Sequence, residues 1–219
     1  MRKNFLIFGL SLVGLIILIL LYLSVNGIKT NKFNHLINDK LKGFDEKLSL
    51  KTNYIFLKLK LNNNSININI DNPRIYSGSE FIDLSKIDIN LDLIKLIKND
   101  NSIKNIQIVS KENSIKTLTN FINSYKFNIS RLVIFNQIES GNIQAKTNIY
   151  FDEENQNEFT YEVTGKVNNA KLNTLNETFV SNINFNFDIK NQIFNFDNIN
   201  LRYDNLDFQS KKIRISKSG

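Results

Sequence analysis

The chain has 219 residues, 28 Lys or Arg against 21 Asp or Glu, a net charge of +7, and no cysteine. That composition excludes a disulfide framework, a zinc ribbon and thiol catalysis. The bases are scattered along the chain, which argues against a nucleic-acid patch, and no nucleic-acid partner is expected.

Phe5 to Val25 is one unbroken apolar run without a charge. Phe5, Leu12, Ile19 and Val25 mark its length. A helix of that length spans the roughly 30 Å hydrocarbon core of a bilayer. The run is longer than a signal-peptide core, and residues 21–25 offer no small-residue cleavage site. It reads as an uncleaved single-pass anchor. Arg2 and Lys3 precede it, so the short basic end is expected in the cytoplasm and residues 26–219 outside. That outer part keeps 26 bases and 21 acids, a net of +5, read as ordinary solvated lysines with a mild attraction for anionic headgroups.

Phe33, Leu36, Ile37, Leu41 and Phe44 fall at helical spacing within Thr30–Phe44 and predict a short amphipathic helix. It could lie on headgroups or cap a sheet; capping is the preferred reading. From Leu48 the period becomes two. Leu57, Leu59 and Leu61 alternate with lysines, Ile66, Ile68 and Ile70 with asparagines, and Ile87, Ile89, Leu91 and Leu93 with Asp88, Asn90 and Asp92. Ile106 and Ile108 continue after a polar turn at 99–101. These are strands with one apolar and one wet face. Ile94–Lys98 fits one helical turn, and Ile115, Leu118, Ile122 and Tyr125 predict a second helix over Ser114–Tyr125.

Strands are expected from Phe127 on, first through Leu132 and Ile134, then Ile143–Phe151 and, after a hairpin loop at 153–157, Phe159–Val167. Leu172–Phe179 is ambiguous, with a short helix one option. Ile183, Phe185, Phe187 and Ile189 alternate with Asn182, Asn184, Asn186 and Asp188; Phe194 and Phe196 follow. The register then slips by one to Ile199, Leu201 and Tyr203, which predicts a turn or bulge at Asp197-Asn198. Asparagines on the wet face are expected to tolerate substitution. The whole predicts a mainly β fold with a few helices, an antiparallel meander without crossover helices.

No catalytic constellation is present. The chain has no phosphate loop and no nucleophile elbow, and His35 stands alone. The carboxylates at 152–154 fall on a hairpin tip, and Asp88 and Asp92 on the wet face. The chain is therefore read as a non-enzyme with no metal and no cofactor. What remains is a long apolar sheet face that must be covered by a second sheet, a helix or hydrocarbon.

The order of elements resembles the N-terminal part of AsmA-like proteins, the group of bridge-like lipid transport proteins that includes the TamB and YhdP relatives. The resemblance rests on the anchor followed by the helix Phe33–Leu41 and on Asn69-Ile-Asp-Asn-Pro-Arg-Ile-Tyr76. It rests also on Phe81–Ile97, a strand closing in a Leu-rich turn, and on Ser102–Ile108. Gly165–Leu172 carries a looser likeness to the YhdP-type continuation. The resemblance implies a tail at 1–4, an anchor at 5–25, an AsmA-like N-terminal domain at 26–125 and an incomplete β-meander continuation at 126–219. It implies an inner-membrane protein whose curved sheet forms a periplasmic groove for phospholipid acyl chains, in the service of outer-membrane biogenesis. The lipid-facing candidates are Ile183, Phe185, Phe187, Ile189, Phe194 and Phe196. The alternative is a structural or assembly module that recruits envelope proteins through its sheet edges.

Overall fold

The computed structural model describes residues 2–32, 34–98, 102–125, 128–152, 158–174 and 178–216. The expected polar turn at 99–101 and hairpin loop at 153–157 lie outside these residues.

The apolar run forms helix α1 (Arg2–Val25). Its side chains are described from Gly9, and Leu12, Ile19 and Val25 are exposed, whereas the side chain of Phe5 falls outside the description. Among the described residues no helix is long and apolar enough to cross a membrane. Gly27 turns the chain from α1 into β1 (Ile28–Thr30) with φ at +67°. A Cβ there would sit 2.6 Å from the Leu57 carbonyl oxygen and from the Phe56 ring, so only glycine fits this turn.

Period-two alternation then yields what it should. After α2 (Asn34–Phe44) come β2 (Leu48–Lys51), β3 (Ile55–Lys60), β4 (Ser65–Asp71), β5 (Arg74–Ser77) and β6 (Glu80–Asp92). Helix α3 (Leu93–Ile97), β7 (Ile103–Ser110), β8 (Asn113–Ser114), α4 (Ile115–Tyr125) and α5 (Ile129–Asn136) follow. The chain continues with β9 (Ile138–Phe151), β10 (Phe159–Asn173), β11 (Phe179–Lys190), β12 (Ile193–Tyr203) and β13 (Leu206–Ser216). The thirteen strands of the described residues join one sheet, in the order β1-β3-β4-β6-β7-β9-β10-β11-β12-β13, with β2 and β5 branching from β6 and β8 pairing with β9. The pairings are antiparallel throughout.

The fold is therefore mainly β, as expected, with differences in the helices. Leu132 and Ile134 lie in α5, not in a strand. Ile129, Leu132 and Val133 repeat at i, i+3 and i+4, and a run this short satisfies a helix as readily as a strand. The ambiguous segment around Leu172–Phe179 extends strands: β10 runs to Asn173 and β11 starts at Phe179, with residues 175–177 outside the description. Thr174 closes the two strand ends by donating its backbone N–H to the Thr178 carbonyl at 2.8 Å.

Two cores result. The first joins Leu50, Ile55, Ile70, Leu84 and Ile87 to Ile37 and Leu41 of α2. Ile55 and Ile70 are fully buried, each stabilising the fold by about 1.5–3 kcal/mol. Asn38 fixes α2 to β2: its Oδ1 accepts from Leu50 N at 2.6 Å and its Nδ2 donates to the Leu50 carbonyl at 2.8 Å. Helix α2 thus caps the sheet. The second core, Val167, Ala170, Ile183 and Phe187, belongs to the later strands.

Candidate functional site

Register places the apolar residues of successive strands side by side. Leu57 pairs with Ile68, Ile68 with Ile89, Ile89 with Ile106 and Ile106 with Ile149. Further on, Val163 pairs with Ile189, Ile189 with Phe194 and Phe194 with Ile215. Paired residues share a sheet face, so one apolar face runs from β3 to β13. The other face is amide-rich. Asn67 Nδ2 donates to Asn90 Oδ1 at 3.0 Å, Asn90 Nδ2 to Asn105 Oδ1 at 2.7 Å, and Gln107 Nε2 to Asn148 Oδ1 at 2.9 Å.

The six lipid-facing candidates lie together on β11 and β12, and the structure divides them. Ile183 and Phe187 are buried, 8% and 9% exposed, while Phe185, Ile189, Phe194 and Phe196 are half-buried. Phe187 owes its burial to Gly165, its partner on β10: a Cβ on Gly165 would come within 2.4 Å of the Phe187 ring. Phe185 stands edge-on to Phe196 at 5.6 Å between centroids. Among the described residues, those packed in this second core come from β9 to β12, apart from Ile115 of α4. Among the described residues no opposing layer of strands contributes to it. At β13 the face opens further, with Ile213 45% and Ile215 55% exposed.

A line of bulges crosses this region. Asn169, Asn182 and Asn198 take φ of 50°, 51° and 55°, and Gly141 on β9 takes 129°. The pairing slips beside each asparagine, on β10, β11 and β12 in turn. Asparagine is the non-glycine residue that accepts this left-handed conformation at least cost. Neighbouring amides clamp the bulges. Asn184 Oδ1 accepts from Asn169 N at 2.9 Å, Asn184 Nδ2 donates to the Asn182 carbonyl at 2.7 Å, and Asn200 Nδ2 donates to the Asn198 carbonyl at 3.2 Å. Each bulge keeps apolar residues on one side across a step of three, so Val180 and Leu201 join the same core as Ile183 and Phe196. The bulge expected at Asp197-Asn198 is there. The same step of three in Val167–Ala170 and Val180–Ile183 is the signal that could have located the other two.

Charged groups here act as struts. Arg202 holds Asp207 in two bonds of 2.8 and 3.1 Å and keeps that carboxyl below the ordinary carboxylate range. Glu162 raises Lys190 by pairing with it. Asp92 is lowered first by the Lys95 backbone N–H and then by Lys104, as befits the cap of α3. His35 pairs with Asp39 at 2.5 Å on the exposed side of α2. Among the described residues no group of three His, Cys, Asp or Glu could hold a metal.

Fold and site together define a class: a mainly β protein built on a single antiparallel sheet with one apolar face, whose later strands, among the described residues, carry no second layer of strands. Comparison with known proteins finds no family model, no curated protein and no solved structure that matches the chain.

Proposed function

We propose that the apolar face of β9–β13 binds the acyl chains of phospholipid, on a protein held at the inner membrane by α1 with residues 26–219 in the periplasm. One observation carries the reading. Three aromatic and aliphatic side chains at the centre of the face, Phe185, Ile189 and Phe196, are packed sideways by their own sheet yet only half-buried, and Phe194 beside Ile189 is half-buried too. Burying such a surface in water-free surroundings is worth about 25 cal/mol per Å2, and hydrocarbon chains supply those surroundings without demanding a fixed shape. The line of bulges supports the reading, because bulges bend and twist strands and so turn a flat sheet toward a groove. The anchor rests on the sequence alone, on the uncharged apolar run from Phe5 to Val25. The resemblance to AsmA-like proteins points the same way.

A second reading is an assembly module that takes up a partner strand. It is favoured by the edge strand β1, which among the described residues pairs with β3 alone. Extraction in mild detergent, followed by quantification of co-purifying phospholipid, separates the two. The groove reading expects lipid at about one molecule or more per chain and its loss in Phe185→Asp, which puts a charge into the apolar face. Lipid-free protein that captures strand-forming peptides would support the module instead.

A further inference from the structure

We infer that the short helix α3, with the turn beside it, inserts its aliphatic side chains into the surface of the bilayer that holds α1, so that the sheet stands on its membrane at a second point. The inference rests on the anchor reading above and adds to it which end of the sheet meets the lipid.

The docking surface is small and firmly built. Asp92 caps α3, its carboxylate accepting from the backbone N–H groups of Ile94 and Lys95 at 2.8 and 3.0 Å. Leu93 N donates to the Asn64 carbonyl at 2.9 Å, which ties α3 to the 3-10 turn Leu61–Asn63 between β3 and β4. Held in this way, Leu61, Ile94, Leu96 and Ile97 are all exposed, Ile97 at 74%. Three of the four apolar residues of a five-residue helix thus face outward from a turn whose cap is complete. Lys95 and Lys98 have stems long enough to keep their ammonium groups among phosphates while such neighbours sit deeper.

Exposed aliphatics alone would not single out α3, because α5 also exposes Ile129 and Val133. Position does. Strand β1 runs antiparallel to β3, with Ile28 opposite Leu57, so α1 hands the chain to the sheet at the end where β3 finishes. Strands β3, β4 and β6 alternate in direction, so β6 finishes at that end too, and α3 follows it there. Helix α5 precedes the start of β9, which runs in the direction of β6 across β7, and therefore lies at the opposite end. Register gives the distance. Ile28, Leu57, Ile68 and Ile89 stand in one row. Asp92 is three residues, about 10 Å, beyond that row toward the α1 end, and three strands, about 14 Å, to the side of β1. The three steps of chain from Ile28 back to Val25 span at most about 10 Å. Helix α3 therefore begins at least as far toward that end as α1 finishes. A bilayer that holds α1 is fixed beside α3 by the chain itself, and hydrocarbon is the cover these side chains need.

The chain has no cysteine, so one introduced thiol carries an environment-sensitive dye at one place. Ile97→Cys, Val133→Cys and Leu18→Cys each replace an exposed side chain. Each full chain is reconstituted in nanodiscs containing phospholipid with a nitroxide on the headgroup or within the acyl chain. Headgroup nitroxide should quench the dye at position 97 by a larger share than its mole share among the lipids, because a single lipid bound to the sheet could quench no more than that share. The dye at position 133 should keep its emission, and acyl-chain nitroxide should quench the dye at position 18. Quenching at position 97 that is no greater than at position 133, or no greater than the mole share of nitroxide, would overturn the docking of α3, while quenching at position 18 keeps the anchor. An unquenched position 18 would overturn the anchor and the docking together.

Discussion

Gly165→Ala probes the seat of Phe187 directly. The new Cβ would lie 2.4 Å from the Gln144 carbonyl oxygen and 2.4 and 2.9 Å from two atoms of the Phe187 ring. Comfortable carbon contacts start near 3.5 Å, so the two closest separations are short by about 1 Å and the third by about 0.6 Å. The ring could swing away, but the Gln144 oxygen belongs to the backbone of β9, which pairs with β10 along almost its whole length. Overpacking of this kind costs about 1–3 kcal/mol, and the rigid oxygen puts the cost in the upper part of that range. Against it, replacing glycine lowers the entropy of the unfolded chain and returns about 0.4–1 kcal/mol. The net expectation is a loss of about 1–2 kcal/mol. Urea unfolding in detergent should show a lower midpoint with an unchanged slope. The double variant Gly165→Ala/Phe187→Leu should cost less than the sum of the two single changes, because it removes the ring half of the clash. A neutral or stabilising Gly165→Ala would mean that Phe187 is not seated on Gly165, and the division between buried and open phenylalanines would fall with it.

Further expectations follow from the same geometry. Phe187→Ala should cost about 3–5 kcal/mol, as for a packed core ring, while half-exposed Phe185→Ala should cost clearly less; thermal unfolding of the pair decides. Asn184→Ser should destabilise by about 1 kcal/mol or more, since it breaks two hydrogen bonds that clamp the bulges, a shift readable in the melting temperature. Asn182→Gly should be tolerated and Asn182→Val should not, because φ of 51° suits glycine and penalises a β-branched residue. Asp92 and Asp207 are both held below the ordinary carboxylate range of about 4, so their stabilising contribution is complete above that range and lost as pH falls through their lower folded values. An acid titration of unfolding should therefore show Asp207→Asn less sensitive than wild type below about pH 4.

Much of this structure could be read from alternation alone. Ile66-Asn-Ile-Asn-Ile70 and Ile183-Asn-Phe-Asn-Phe187 declare strand and face at once, because period two admits no other half-buried element. What alternation could not give is what happens where it breaks. The single slip at Asn198 was legible, but its companions at Asn169 and Asn182 fall among so many asparagines that no residue type marks them. For the same reason Asn184, which reads as one more solvated amide, turns out to clamp two strands. Burial within the apolar face was also hidden: Phe185 and Phe187 are equivalent by period, and only the glycine opposite Phe187 separates them. Helix α5 was hidden because Ile129, Leu132 and Val133 fit a helical repeat while Leu132 and Ile134 fit a strand, and so short a run does not decide between them.

The central claim is that hydrocarbon, and not protein, covers the apolar face of the later strands. Site-specific photocrosslinking in cells fed radiolabelled phospholipid precursor tests it most directly. A photoreactive phenylalanine analogue at positions 185, 194 and 196 should capture labelled lipid, and the same analogue at wet-face positions 186 and 195 should not. Capture of a protein partner at 185, 194 and 196 with no labelled lipid, or equal lipid labelling on both faces, would contradict the account.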